Sequence, residues 1–255
     1  MILKGTATVA NQITDRVYVS LIIPAYNEEA RIGKSLERIM TFFASEPYAS
    51  EVIIVDDGST DRTVELIRER YGNHRSVRIY QQPRNLGKGE AVKQGMLLGS
   101  GEYLFFSDAD LSVPIETLRL FLTHLESHCD VTIGSRQKSG ATIEVHQPFH
   151  REIMGKTYTK LSNWLLNLPI TDFTCGFKGF RRRAARELFS LQHLKNWSFD
   201  VEILYLAQLK GYEVQEIPVT WRNDRGSKVR VGRDTISSLL GLLQIRLYDY
   251  QRKYR

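Results

Sequence analysis

Five short apolar runs punctuate the first half of this chain, and each stops at polar or backbone-exposing residues. They are RVYVSLIIP (16–24) before AYNEE, EVIIVDD (51–57) before GSTD, VRIYQQ (77–82) before PRN, YLFFSDAD (103–110), and VTIGSR (131–136). Helical patterns separate them: EEARIGKSLERIMTFFAS (28–45), GSTDRTVELIRERYG (58–72), GKGEAVKQGMLLGS (87–100) and PIETLRLFLTHLES, opened by Pro114. Ser59 or Thr60 can cap the second of these and Gly72 ends it. A uniformly apolar run such as VIIV suits a strand buried on both faces. Strands alternating with helices give βαβ units, and so an α/β fold with a mostly parallel sheet flanked by helices. Such sheets bind ligands outside the carboxyl ends of their strands. The chemistry should therefore gather where these five runs end.

The second half is less regular. SGATIEVHQPFHRE (139–152) reads as a long mobile loop, and TDFTCGFKGF (171–180) as a short glycine-punctuated stretch. Met154, Tyr158, Leu161, Leu165 and Leu168 recur at helical spacing, RRAARELFSL and FDVEILYLAQLKGY read as helices, and YEVQEIPVTW alternates as a strand does. The arginines of FRRRAAR (180–186) read as a solvated first helical turn. No repeat or low-complexity linker divides the 255 residues, which argues for one domain.

Composition is that of a soluble globular protein, 42% hydrophobic and 25% charged. No run reaches the roughly 18 apolar residues of a membrane span, and the start, MILKGTATVANQ, lacks a signal-peptide core; the expected location is the cytoplasm. Cys129 and Cys175 have no metal or redox spacing and read as reduced. The six histidines show no metal spacing either; His124 and His128 are four apart but lack a third ligand. Net charge is +6, concentrated late in FRRRAAR, WRNDRGSKVRVGR and QRKYR, which favours an anionic partner. No nucleic-acid-binding fold or stacking-aromatic motif accompanies it.

Asp108 and Asp110 lie two apart at a strand end. A bend there can turn both carboxylates toward one hard cation, Mg²⁺ or Mn²⁺, whose shell substrate phosphates would complete. The competing reading is a cap, by Asp110 or Ser112, for the helix at Pro114. Asp56 and Asp57 can accept from a base N–H or a ribose hydroxyl, or serve the next helix start. In NLGKGEAVKQG (85–95) a helix start joins glycines and Lys88, and its N–H groups suit an anion. It is neither a Walker loop nor a full G-x-G-x-x-G fingerprint.

Taken in order, PAYNEEARI, VDDGSTDRT, NLGKGEAVKQG, FFSDADLS and IGSR resemble the family 2 glycosyltransferases of the GT-A fold. DFTCGFKGFRRRAARELF, WSFDVEILYLA and GYEVQEIPVTW extend the likeness, over about residues 17–230, to dolichyl-phosphate glucosyltransferases and prokaryotic polyprenyl-phosphate relatives. The resemblance implies a nucleotide-sugar half at 17–136 and an acceptor half at 137–232, ahead of a terminal helix at 233–255. It implies that Pro24, Ala25, Tyr26 and Glu28 line the nucleotide pocket, that Asp56 and Asp57 hold base and ribose, and that Lys88 lies near the nucleotide with Ala109. Asp108 and Asp110 would hold the metal on the diphosphate, with Asp110 counted as catalytic. Arg136 and Arg151 would meet the acceptor phosphate, with Arg222, Arg225 and Lys228 in a late basic loop. Asp200 would be an active-site acid, or a cap for its helix. The implied reaction is inverting hexose transfer, from UDP-glucose, to a polyprenyl phosphate. GDP-mannose as donor, a sugar hydroxyl as acceptor, and a silent nucleotide-sugar binder are the alternatives.

A lipid-borne acceptor requires contact with a bilayer. In DTISSLLGLLQIRLYDYQRKYR, Ile236, Leu239, Leu240, Leu243 and Leu247 share one helical face, with Arg246, Arg252, Lys253 and Arg255 beside or after it. This fits an interfacial helix attaching the protein peripherally to the cytoplasmic face of a membrane, each basic residue adding roughly 1 kcal/mol. Docking on the domain's own core, or self-association into a homo-oligomer, would use the same face.

Overall fold

The computed structural model describes residues 16–222 and 233–255. Its centre is a seven-stranded sheet. The first five runs become β1 (Val19–Ala25), β2 (Ser50–Asp56), β3 (Val77–Gln81), β4 (Tyr103–Ser107) and β5 (Val131–Ser135). With β7 (Phe177–Arg181) and β8 (Val214–Pro218) they take the order β3-β2-β1-β4-β7-β5-β8. All pairs are parallel except those of β7, which runs antiparallel between β4 and β5. The carboxyl ends of β1 to β5 consequently meet along one rim.

Helices cover both faces. Alternate strand residues Val52 and Ile54 point into one core with Ile39 and Phe43 of α1 (Ile32–Ala44) and Phe121 of α4 (Leu118–Ser127). Ile53 and Val55 point into the other, with Val92 and Met96 of α3 (Lys88–Leu98), Leu188 and Phe189 of α6 (Arg182–Leu191), and Leu204 of α7 (Phe199–Leu209). The remaining helices are α2 (Thr63–Tyr71), α5 (Phe149–Leu166) and α8 (Arg233–Tyr250).

Several sequence expectations change. The 139–152 stretch is not a loop: it forms β6 (Thr142–Val145), paired in parallel with β9 (Thr220–Arg222), and then enters α5. The partner strand is some eighty residues away, so no local pattern announces it. Gly179 of TDFTCGFKGF marks no turn; it sits inside β7, where a Cβ would overlap the Phe105 ring and lie 2.7 Å from Thr132 Oγ1. Ser59 and Thr60 do not cap α2. The Asn27 N–H donates to Ser59 Oγ, and the Thr60 N–H to Asn27 Oδ1, which stitches the ends of β1 and β2 together. FRRRAAR is only partly solvated: Arg181, Arg182 and Arg186 donate to the carbonyls of Cys129, Gly101 and Gly99. Both cysteines are free and buried.

Candidate active site

At the end of β1, Pro24 and Ala25 lead into a turn through Tyr26 and Asn27, the latter in the left-handed region at φ 54°. The Glu28 N–H donates to Thr63 Oγ1, and the Glu28 carboxylate pairs with Arg31. Arg31 also approaches the Asp110 carboxylate at 3.8 Å. The first strand end thus reaches the acidic pair through one arginine.

Asp56 and Asp57 divide their duties. The Asp56 carboxylate accepts the Ser59 N–H at 3.2 Å and holds the Gly58 turn. Asp57 turns toward α3, where its carboxylate accepts the N–H groups of Leu86 and Gly87. Burial pushes its carboxyl above the usual range, and those two donors work against the shift. The anion that the NLGKG helix start was expected to attract is therefore, at Leu86 and Gly87, the protein's own carboxylate.

After β4 the chain folds back on itself. Leu111 adopts φ 50°, its N–H donates to the Asp108 carbonyl, and the Ser112 N–H donates to Asp110 Oδ1. A left-handed leucine is disfavoured by about 1–2 kcal/mol, a cost that sites of function often carry. The turn aims both acids at the rim while Ala109 stays buried between them. Asp108 receives the Lys88 ammonium at 2.5 Å, and that ammonium also lies 5.2 Å above the Trp197 ring. A Cβ on Gly176 would overlap the Asp108 carboxylate, so only glycine leaves that side chain its place. Burial opposes the Lys88 charge, but Asp108 and then Asp200 raise its pKa above the ordinary lysine value. Asp110 is raised too, by burial first and by the Asp108 charge second. Among the described residues no cluster of three or more His, Cys, Asp or Glu is assembled. A cation here would have two carboxylates and would draw its remaining oxygens from a ligand, the coordination magnesium commonly takes. The hard-oxygen donor set, with like charge crowding Asp110, fits that role.

Arg136 follows β5 and is clamped by a residue the sequence reading passed over. Its Nε and Nη2 donate to the two carboxylate oxygens of Asp172 at 2.7 and 2.8 Å, its backbone N–H adds a third bond, and Nη2 reaches Thr174 Oγ1. The guanidinium lies 5.2 Å from the Trp221 ring centre. Burial disfavours both charges, yet Asp172 raises the Arg136 pKa and Arg136 holds Asp172 below the carboxylate range. Glu216 of β8 in turn accepts the Thr171 N–H and hydroxyl, which fixes the segment carrying Asp172. Arg136, Thr174 and Trp221 line a cavity of about 340 Å³ with His146, Lys156 and Thr159 of the adjoining β6–α5 region. Arg151 sits half-exposed in the first turn of α5, beside Glu152, which lines the cavity. Arg222 is tied by its N–H to the Ser112 carbonyl, which links β9 to the turn after Asp110. Arg225 and Lys228 lie outside the described residues.

Asp200 does not cap α7. It is buried and bonds Lys178 at 2.6 Å, and Lys178, fully buried in β7, also donates to the Cys175 carbonyl. Burial raises the Asp200 carboxyl, while Lys178 and Lys88 counter it. Sequence reasoning missed Asp172, Lys178 and Glu216. A lysine within FKGF was the one available signal, since an ammonium inside an apolar strand needs a partner.

The comparisons with known proteins bear on this rim. The model for "Glycosyl transferase family 2" matches residues 20–189. Dolichyl-phosphate beta-glucosyltransferase ALG5D of Trichomonas vaginalis is 33% identical over 243 residues, covering 91% of this chain and 74% of that one. The dolichyl-phosphate beta-glucosyltransferase of Saccharomyces cerevisiae is 34% identical over 256 residues, 93% and 76% of the two chains. Glucosyl-3-phosphoglycerate synthase from Mycobacterium tuberculosis, solved with Mn²⁺, UDP and glucosyl-3-phosphoglycerate, superposes with a TM-score of 0.67 at 18% identity, over 90% of this chain and 80% of that one.

Proposed function

The chain belongs to glycosyl transferase family 2 and has the GT-A fold, and on that premise we propose that it moves glucose from UDP-glucose onto the phosphate of a polyprenyl lipid of the dolichyl type, inverting the anomeric carbon. The observation that carries the acceptor reading is the state of Asp200. The resemblance makes it the site's candidate acid, and a hydroxyl acceptor would need such a group as its base; here it is locked to Lys178. A phosphate monoester, with a second pKa of about 6, is already largely dianionic at neutral pH. It needs orientation and charge screening, and no deprotonation.

Arg136, fixed in orientation by Asp172 and lining the cavity, would present its guanidinium to the phosphate. An acceptor oxygen held there attacks the anomeric carbon from the side opposite the nucleotide; the bond from that carbon to the diphosphate oxygen breaks, and the diphosphate keeps the electron pair. Lys88 sits beside Asp108 to screen the charge that develops on this leaving group. A divalent cation, Mg²⁺ or Mn²⁺, would be held by Asp108 and Asp110 and would neutralise that same diphosphate. Asp56 and the β1 turn at Pro24–Glu28 remain candidates for the nucleoside end.

Among the described residues no helix is long and apolar enough to cross a membrane. The large apolar side chains left exposed fall mainly on α8 (Ile236, Leu239, Leu240, Leu243, Leu247 and Tyr250) and on α5 (Phe149, Ile153 and Trp164). Helix α5 also lines the cavity beside Arg136. These exposed side chains support peripheral attachment to a membrane, with the lipid tail outside the cavity and its phosphate within; the face proposed for it is the cytoplasmic one. The test is transfer of radiolabel from UDP-glucose, with Mg²⁺ or Mn²⁺, into an organic-extractable product on a short polyprenyl phosphate. Label in the organic phase is expected. Label that stays aqueous with both UDP-glucose and GDP-mannose overturns the lipid acceptor.

A further inference from the structure

Tyr254 lies beyond α8, far along the sequence from every strand end, and it is fully buried. Its hydroxyl donates to Glu202 Oε1 at 2.7 Å, and its ring packs against His193, Tyr205 and Tyr248. Glu202, in the first turn of α7, is also fully buried. Besides Tyr254 it accepts the backbone N–H groups of His193 and Leu194, at 3.0 and 2.8 Å. One carboxylate therefore joins the end of the described chain to the turn at 192–198.

That turn lies backbone to backbone on the start of α3. The Gly89 N–H donates to the Lys195 carbonyl at 2.8 Å, and Gln192 Nε2 bridges the carbonyls of Gly89 and Leu194. Gly89 permits this contact, because a Cβ there would lie 2.8 Å from the Leu194 carbonyl and from Phe199 Cβ. Lys88 stands between Gly87, whose N–H donates to Asp57, and Gly89, and Trp197 of the same turn lies beneath its ammonium. Helix α8 closes the turn from outside: Asn196 Nδ2 donates to Ser237 Oγ at 2.8 Å, and a Cβ on Gly241 would overlap Ser198.

We infer that Tyr254 is a positioning residue which, through Glu202, fixes the 192–198 turn and so seats Lys88 against Asp108. Its consequence for the donor rests on the reading of this rim as a UDP-sugar site. Tyr254 touches no reacting group; removal of its hydroxyl leaves Glu202 one donor short and loosens the two amides that carboxylate holds. The apolar helix proposed to meet the lipid and the lysine proposed to meet the diphosphate would then share one buried connector.

The test is Tyr254→Phe, which keeps the ring, with Gly241→Ala as a second variant that presses on Ser198 without touching Tyr254 or Glu202. Amide hydrogen exchange and UDP binding by calorimetry are measured on the full chain. Expected are faster exchange confined to 86–91 and 192–199, with α4 unchanged, a roughly 10-fold weaker Kd for UDP, and an unchanged KM for polyprenyl phosphate. Gly241→Ala should reproduce the local exchange pattern. Unchanged exchange in both segments, or a uniform rise across the whole sheet, overturns the coupling, as does unaltered UDP affinity in a variant whose exchange has risen. If the wild-type chain fails to bind UDP, the donor reading falls, and the exchange pattern still decides the coupling.

Discussion

The two halves of the rim hold their acids in different ways. On the donor side, backbone amides accompany the carboxylates: Ser59 on Asp56, Leu86 and Gly87 on Asp57, and Ser112 on Asp110. On the acceptor side, cationic side chains hold them, Arg136 on Asp172 and Lys178 on Asp200, with both acids buried. Backbone donors orient a carboxylate without cancelling its charge; of the acidic pair Asp110 is held in this way, with Arg31 approaching it at 3.8 Å, while Asp108 carries the Lys88 ammonium. A buried ion pair instead fixes the direction of the guanidinium. The first arrangement suits a metal-bound diphosphate, the second a phosphate nucleophile.

Breaking the acceptor-side pattern should have the largest effect. Asp172→Ala leaves Arg136 buried without its partner, a change that costs about 3–5 kcal/mol, read as a lowered denaturation midpoint with weakened acceptor binding. The wild-type protein should show the same dependence in pH. Because Arg136 depresses the Asp172 pKa, the stabilisation is fully present above the unfolded value near ~3.9 and is lost as pH falls through the lower folded value. The variant should lack that acid-side contribution, and equal acid sensitivity in the two proteins would refute the assignment. The donor side should answer in rate more than in stability. Asp110→Asn is expected to lower kcat by about 10²–10³ with the fold retained by circular dichroism; a wild-type rate would sink the metal role. The smallest stability effect belongs to the exposed face of α8. Leu243→Ser should shift stability by less than about 0.5 kcal/mol, yet reduce sedimentation with anionic vesicles, and undiminished sedimentation would remove α8 from the membrane contact.

The donor half was legible because each strand and the residues that act at its end are contiguous. IIVDD and FFSDAD name a buried strand and its rim acids in one window, and parallel pairing brings those windows together. Even there, the duty of Asp57 was hidden, because its partners Leu86 and Gly87 lie on the next crossover. The acceptor half was poorly legible because its contacts join distant segments. TIEV pairs with TWR, Asp172 clamps Arg136 across 36 positions, and Glu216 steadies Asp172 from a strand farther on. Of the exposed apolar residues, those of α8 were foreseen from helical spacing, whereas Phe149 was hidden in a stretch read as loop.

By itself the sequence determined an alternating α/β fold, the strand ends that carry acid, and the family to which they belong, since hydrophobic period and rim chemistry are local properties of the chain. Only the tertiary structure decided which charges remain available. Burial and pairing depend on what folds against each residue: Asp200 became a partner for Lys178, Asp57 a tether for α3, and Tyr254 a buried connector to the turn beside Lys88.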